Sequence, residues 1–255
     1  MRHGEADRAI WATWYDIAAD RRDEYLAWLH GEYLPALKAR PGFLWVAHYA
    51  DQGGGAPITA SGGTVFQYAQ DGMGTGTQFV TIVGAASTEV FLDTPVAEIE
   101  KEAGKASEML ALRQGVRTNI LIEETRIYGP AHPAGGYGLN PGPCIMFGTF
   151  RISTPEREFE LGAWYLKDRL PFVEQTPGCI RARKLVSVAG WAKFGAFYEF
   201  DSLEARSNWK KVNSTRVLDP NHWSNRMVGS TRHVPGSPTI GLRTWPAVSP
   251  VAGQR

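Results

Sequence analysis

The sequence predicts an α+β fold made of two β-α-β-β-α-β units in one chain. Three observations lead there. The 255-residue sequence repeats itself once: a shift of 136 positions lays Trp11–Phe43 over Phe147–Cys179 without a gap, with nine of 33 pairs identical. The shared skeleton is W-x3-[ED]-x-L-P-x5-P-G, carried by Trp28/Trp164, Glu32/Asp168, Leu34/Leu170 and Pro35/Pro171, then Pro41-Gly42 and Pro177-Gly178. Short aromatic and β-branched runs alternate with segments of helical period in the same order in both halves. The composition, 43% hydrophobic and 21% charged, is that of an ordinary folded chain rather than a disordered one.

The elements follow in order. Residues 10–16 and 144–152 are bounded by turn signals and read as first strands. In the second half Ser153-Thr154-Pro155-Glu156 offers a capping residue, an early proline and a glutamate to start a helix. The first helices run over 21–33 and 157–169, and each Pro-Gly pair stops the connection that follows. Second strands are predicted at 43–49 and 179–188, and third strands at 78–83 and 193–200. Second helices are predicted at 88–112, broken at Pro95 and Gly104, and at 203–212. Last strands fit 116–128 and 230–234. Each half is therefore a ferredoxin-like unit. The first spans 1–128, with a Gly-rich insertion at 51–77 that reads as a hairpin excursion or a flap over a site. Residues 129–143 hold four Pro and five Gly and read as a linker. The second unit spans 144–234, and the Pro-rich tail 235–255 is expected to run over the surface.

Several function classes are excluded. Lys plus Arg number 27 against 26 Asp plus Glu, a formal charge of +1, so no broad attraction to nucleic acid or anionic membrane is expected. No apolar run approaches the roughly 18 residues that cross a bilayer, and residues 1–10 hold no signal-peptide core. Two cysteines, Cys144 and Cys179, make neither a disulfide framework nor a zinc set, so a reduced cytoplasmic protein is expected. No phosphate-cradling glycine loop and no nucleophile elbow is present. His30 and Glu32 point to different faces of their helix and make a poor metal pair, so no metal is expected. Nine Trp, nine Tyr and eleven Phe suit a large core or a pocket for a flat ligand.

With its doubled unit, helix tryptophan and downstream Pro-Gly, the chain resembles the dimeric α/β-barrel superfamily, and most closely its EthD-like members, as a tandem duplication. The likeness covers about 33 residues of each half well and the rest by element order. It implies that the two units form within one chain the barrel that the family makes by dimerisation. The protein would then be a monomeric pseudo-dimer or a homodimer. EthD-like sequences carry a histidine shortly after the helix tryptophan; here that neighbourhood holds Glu32-Tyr33 and Asp168-Arg169, with His30 displaced. The superfamily includes cofactor-independent monooxygenases, polyketide cyclases, lactone isomerases, haem-dependent dehydratases and peroxidases, and non-catalytic stress proteins. Its ligands commonly sit between the sheet and the helices of one unit.

Strand alternation then selects candidate site residues. It groups Trp14 and Asp16 with Val46 and His48 on one face, and Trp11, Thr13 and Tyr15 with Phe147, Thr149 and Arg151 as equivalents. Asp16 and His48 would share a rim, about 10 Å apart across two strand spacings. His48 is a candidate general base, because imidazole titrates near neutral pH. It is equally suited to a strand end, and Asp16 to a turn. His222, beside Trp223, is a candidate acid/base, axial haem ligand or structural turn. Trp14, Tyr15 and Trp28 would wall an aromatic ligand. Arg151, Arg181 and Arg183 would clamp a carboxylate or phenolate, or contact the first unit across the internal interface. The leading expectation is a cofactor-independent enzyme abstracting a proton from a small aromatic or polyketide-like carbonyl or phenol. The alternatives are a non-catalytic small-ligand or stress-response module, or a haem-binding dehydratase or peroxidase-like protein. The working pocket is expected in the first unit.

Overall fold

A computed structural model describes residues 7–53, 59–60, 63–64, 67–70, 72–101, 104–132 and 140–248. The first unit contributes β1 (Ala9–Asp16), β2 (Phe43–Asp51), β3 (Phe79–Ala85) and β4 (Gln114–Tyr128), in the order β4-β1-β3-β2. The second contributes β5 (Cys144–Ile152), β6 (Cys179–Gly190), β7 (Phe194–Phe200) and β8 (Thr239–Trp245), in the order β6-β7-β5-β8. β8 pairs with β2, and β6 with β4, so the eight strands close into one antiparallel barrel. The fold is α+β: two fused ferredoxin-like units with helices outside the barrel.

The last strand differs from the sequence expectation. The expected strand at 230–234 is a three-residue piece, Thr231–His233, on the C-terminal end of β5. The strand that closes the barrel is β8, inside the segment expected to be a surface tail. Its residues 239–242 read Thr-Ile-Gly-Leu and are buried or half-buried against β2 and β5, so the prolines around it bracket a strand instead of marking coil. The expected breaks at Pro95 and Gly104 hold, giving α3 (Glu89–Asp93), α4 (Val96–Ile99) and α5 (Lys105–Leu110).

The first helix of each unit shows the repeat most clearly. α1 (Arg22–Trp28) passes through a π-helical turn, Leu29–Tyr33, into α2 (Leu34–Lys38). α6 (Pro155–Trp164) passes through Tyr165–Arg169 into α7 (Leu170–Glu174). Both wide turns follow the skeleton tryptophan and lie 136 positions apart. Gly42 and Gly178 leave the helices at φ 83° and 77°, a left-handed backbone that disfavours other residues. Glu32 and Asp168 play the same part in each unit, tying the first helix to the second through Lys105 and Arg216.

The barrel interior is filled. Trp14, Trp45, Tyr49, Phe147 and Phe197 pack there with smaller aliphatics. The Trp45 ring lies over Gly84, where a Cβ would stand 2.1 Å from it. At one end the core turns ionic: Asp7 meets Arg126 at 2.9 Å and Arg183 at 3.2 Å, and Arg183 meets Glu199 at 3.0 Å. Burial raises the Asp7 and Glu199 carboxyls, but the arginines outweigh it and hold both below the usual range. Among the described residues, no helix is long and apolar enough to cross a membrane.

Candidate functional site

Two places combine polar chemistry with burial between a sheet and its helices. In the first unit, β1 and β2 bring Tyr15 and His48 together, with Tyr15 Oη 3.1 Å from His48 Nε2. His48 Nδ1 lies 2.6 Å from Thr244 Oγ1, which itself donates to the His48 carbonyl. That pattern assigns the proton to Nδ1 and leaves Nε2 to accept from Tyr15. His30 Nε2 is 3.0 Å from His48 Nδ1. Burial, then the nearby His30 and Arg113, lower the His48 pKa well below that of a free imidazole. The Arg113 guanidinium stacks 4.4 Å from the Tyr15 ring and donates to Tyr25 Oη at 2.7 Å. The Tyr15 and His48 side chains of this cluster have no exposure to solvent.

In the second unit the corresponding space is open. A partly open cavity of about 80 Å³ lies there. Its aromatic walls include Trp164, Tyr165, Tyr198 and Trp209. The ladders explain why it opens. Tyr15 pairs with Phe79, and Phe150 with Phe194, each partner being the first residue of its strand. Extending that equivalence, Thr13 and Thr81 of the first unit correspond to Gly148 and Ala196 of the second. On the helix, Tyr25 corresponds to Leu161. Three smaller side chains on facing elements leave room that packing would otherwise fill.

Arg169 stands beside this cavity, turned inward in the last position of the π turn. Its Nε donates to Tyr198 Oη at 3.0 Å and its Nη1 to Asn213 Oδ1. The guanidinium is caged by the rings of Trp209 at 4.8 Å, Tyr198 at 5.4 Å and Trp164 at 5.5 Å. α8 (Leu203–Leu218) presents Arg206, Trp209, Lys210, Asn213 and Val217 to the cavity, one helical face. His233 also lines it. Its Nε2 is 3.0 Å from Thr231 Oγ1, which donates to the Val228 carbonyl, so the proton sits on Nε2 and Nδ1 is the basic nitrogen. Nδ1 is 3.3 Å from Ser237 Oγ. Burial pushes the His233 pKa down to about 3.

The Gly-rich insertion of the first unit reaches this same place. Gln67–Tyr68 pairs in parallel with Arg232–His233, and the Ala69 amide donates to the His233 carbonyl. The expected flap thus meets the second unit; its residues 54–58, 61–62, 65–66 and 71 lie outside the described residues, as does 133–139 of the expected linker.

Most sequence-selected residues lie elsewhere. The face expected for the site mixes two faces: Trp14 points into the barrel, donating to Thr239 Oγ1 at 2.9 Å, while His48 faces the helices. Parity fails within the first unit because His48 lies opposite Thr81 and Thr81 opposite Thr13, so His48 shares its face with Thr13 and Tyr15. Between the units, β1 and β5 are offset by one residue from the 136-position shift, so Thr13 and Thr149 sit on opposite faces. Asp16 accepts from the Thr77 and Gln78 amides at 2.6 and 2.7 Å and organises a turn. Tyr15 belongs to the His48 cluster, and Trp28 stacks on Tyr33 at 5.1 Å. Arg151 is exposed, lying on Trp191 and donating to its carbonyl. Arg181 and Arg183 are committed to Asp7 and Glu199 inside the barrel. His222 caps α9 (Trp223–Gly229), its Nδ1 accepting from the Ser224 amide at 3.0 Å, with Arg216 against Nε2. The cavity is therefore in the second unit, contrary to the expectation of a working pocket in the first.

The cavity's own residues fit haem poorly. Both ring nitrogens of His48 and of His222 are engaged away from it. His233 has both in contact with hydroxyls. Among the described residues, no group of three potential ligand side chains could hold a metal ion.

No family model matches the chain, and no curated protein does. Solved structures match over nearly its whole length. One is a proposed monooxygenase from Fusobacterium nucleatum subsp. nucleatum, at 9% identity over 93% of both chains, with a TM-score of 0.56. An anthrone oxidase-like protein matches at 12% identity over 93% of this chain and 92% of that one, with a TM-score of 0.55. A dye-decolorizing protein from V. cholerae matches at 12% identity over 94% of both, with a TM-score of 0.56. The chain has the dimeric α/β-barrel fold of these structural neighbours, with both ferredoxin-like halves of the barrel in a single polypeptide.

Proposed function

We propose that the chain is a cofactor-independent enzyme that takes a small aromatic or polyketide-like phenol or carbonyl compound into the second-unit cavity. There it abstracts a proton, as a cyclase, isomerase, lyase or monooxygenase does. The observation that carries this reading is the cavity itself, where aromatic walls surround a neutral imidazole and a caged guanidinium. Removing a proton beside a carbonyl, or from a phenol, places negative charge on oxygen. His233 Nδ1 would receive the proton as the Ser237 hydroxyl turns away from it, and the cationic side chains of the lining would stabilise the oxyanion. The aromatic walls and the inserted strand at His233 exclude water and strengthen both effects. The anthrone oxidase-like and monooxygenase neighbours are consistent with such chemistry but support the fold only.

A deuterium-exchange assay tests this. Aryl ketones deuterated beside the carbonyl should lose label to solvent faster with the protein, and His233→Ala should slow that loss by roughly 10²–10⁴-fold. Equal exchange with and without protein rejects the proposal. A second reading, binding without catalysis, is favoured by the low His233 pKa, which makes a weak base; it predicts bound ligand with no exchange.

We further propose that the two units arose by tandem duplication of an EthD-like ancestor. The matched π turns, the paired glycines and the shared tryptophan skeleton support this. The single-chain barrel supports a monomeric pseudo-dimer or a homodimer of it. Cys144 and Cys179 are both free and buried, which fits a reducing cytoplasm.

A further inference from the structure

We infer that the second-unit cavity selects a flat organic anion, an aromatic carboxylate whose charged group is held by Arg169 and the Trp209 indole N–H. The inference rests on the reading above that this cavity is the ligand site, and it adds the charge and the anchoring group of the ligand.

Arg169 is the first observation. It is buried, and its hydrogen bonds go to neutral oxygens, the Tyr198 hydroxyl and the Asn213 carbonyl. Among the described residues no carboxylate forms an ion pair with it. Arg181 and Arg183, buried in the barrel, differ: each meets Asp7 and Glu199. A buried guanidinium without a counter-ion carries a desolvation cost that an anionic guest would offset. Its planar fork suits a carboxylate, because two parallel N–H groups can meet two oxygens.

The lining as a whole is the second observation. It contains Arg169, Arg206 and Lys210 and no Asp or Glu. Asp51 acts on Arg206 electrostatically from outside this lining. Burial lowers the pKa of both Arg206 and Lys210, and the Arg206 charge lowers that of Lys210 further. The Arg169 charge thus lies within low-dielectric walls, where attraction for an anion is strongest.

Trp209 is the third. Its indole Nε1 is buried and has no hydrogen-bond partner among the described residues. An unmade buried donor costs free energy unless a ligand oxygen accepts from it. Its ring also stacks over the Arg169 guanidinium, so one side chain orients the cation and offers a donor beside it.

The first unit provides an internal contrast. Its helix has Tyr33 at the position of Arg169, and its Arg113 is neutralised by Glu100 at 2.8 Å. The change from Tyr33 to Arg169 coincides with the opening of the cavity. Space and charge arose in the same unit.

The test compares charged and neutral ligands of one shape. Benzoate and 2-naphthoate are titrated against benzamide and 2-naphthamide, with quenching of tryptophan fluorescence as the readout. The carboxylates should bind roughly tenfold or more tightly than the amides. Arg169→Met should remove that preference while amide binding persists, and Arg169→Lys should restore part of it. Trp209→Phe keeps the ring and loses the N–H, and should weaken carboxylate binding several-fold without loss of fold. A ¹³C-carboxyl label gives a reading on the wild-type protein alone: the bound carboxylate should stay ionised well below the pH at which the free acid protonates. Equal binding of acid and amide overturns the anion assignment and leaves the cavity as the ligand site. Binding of neither ligand overturns both.

Discussion

Tyr15 and Phe150 hold the same place in their two ladders, each opposite the first residue of its neighbouring strand, although they are 135 and not 136 positions apart. The helices and β2/β6 keep the 136-position shift, so one residue is gained or lost between the first strand and the first helix. The consequence is chemical. The Tyr15 hydroxyl reaches back to His48 and Thr81 and closes the first unit. Phe150 has no hydroxyl and stacks against His233 at 5.4 Å, beside open space.

Refilling that space should weaken binding without harming the fold. Gly148 lies at the position of Thr13, and a Cβ there meets its nearest neighbour, Pro238, at 3.8 Å. Gly148→Ala should raise stability by about 0.5–1 kcal/mol by removing a strand glycine. Gly148→Thr should also weaken ligand binding by roughly tenfold or more, since the added methyl and hydroxyl occupy the cavity. Thermal melts and the fluorescence titration measure the two effects.

The ionic end of the barrel should dominate stability. Asp7 faces Arg126, Arg181 and Arg183 and accepts from the Trp45 indole at 3.0 Å. Asp7→Ala leaves buried guanidinium groups without their anion and should cost about 3–5 kcal/mol. Urea unfolding gives the value; a loss under about 1 kcal/mol would mean that the network contributes little.

Stability should fall in mild acid. The His233 pKa of about 3 in the folded chain lies far below the ordinary 6.5, so below pH 6.5 the unfolded chain takes up a proton that the folded chain refuses. His233 therefore contributes its full effect above pH 6.5, and the loss grows down to about pH 3. At pH 5 it amounts to about 2 kcal/mol. The buried His48 shifts in the same direction and adds to the slope. Melts of wild type and His233→Gln between pH 7 and pH 5 should diverge, the variant showing the shallower decline.

His48 should prove structural. It lies in the first unit, with Tyr15 and Thr244 as partners and no access to the second-unit cavity. His48→Gln should leave ligand affinity and exchange activity unchanged and lower stability by about 1–3 kcal/mol, the cost of breaking a buried hydrogen-bonded network.

The repeat, the element order and the broken second helix were legible because each has a local sequence cause: the tryptophan skeleton, alternation, and Pro95 with Gly104. β8 was hidden because its residues 239–245 are flanked by Pro238 and Pro246, and proline usually signals the end of structure. The site was hidden for two reasons. The register of β1, β3 and β2 sets odd positions of one strand beside even positions of another, so His48 shares its face with Tyr15 and not with Trp14. The second helix was expected to end at 212, although it continues to Leu218, so Asn213 and Val217 were left out of the face that carries Arg206 and Trp209. A helix with arginine, lysine and asparagine on its buried side was a usable signal. So was the change from Tyr33 to Arg169 just before the Leu-Pro that both helices share.

β8 is the last barrel strand in chain order, and it alone bridges β2 and β5. Until it has been synthesised, the β2 edge and the N-terminal part of the β5 edge lack the strand that pairs with both. The first unit emerges early as a half-barrel whose sticky surface suits any second sheet, including that of a neighbouring nascent copy. The bond between Thr244 and the His48 carbonyl joins residues 196 positions apart, so closure is among the most non-local steps available to this chain. Expression of residues 1–128 alone should therefore give aggregates or intermolecular barrels, and co-expression with the second half should rescue solubility by supplying the missing strand in trans.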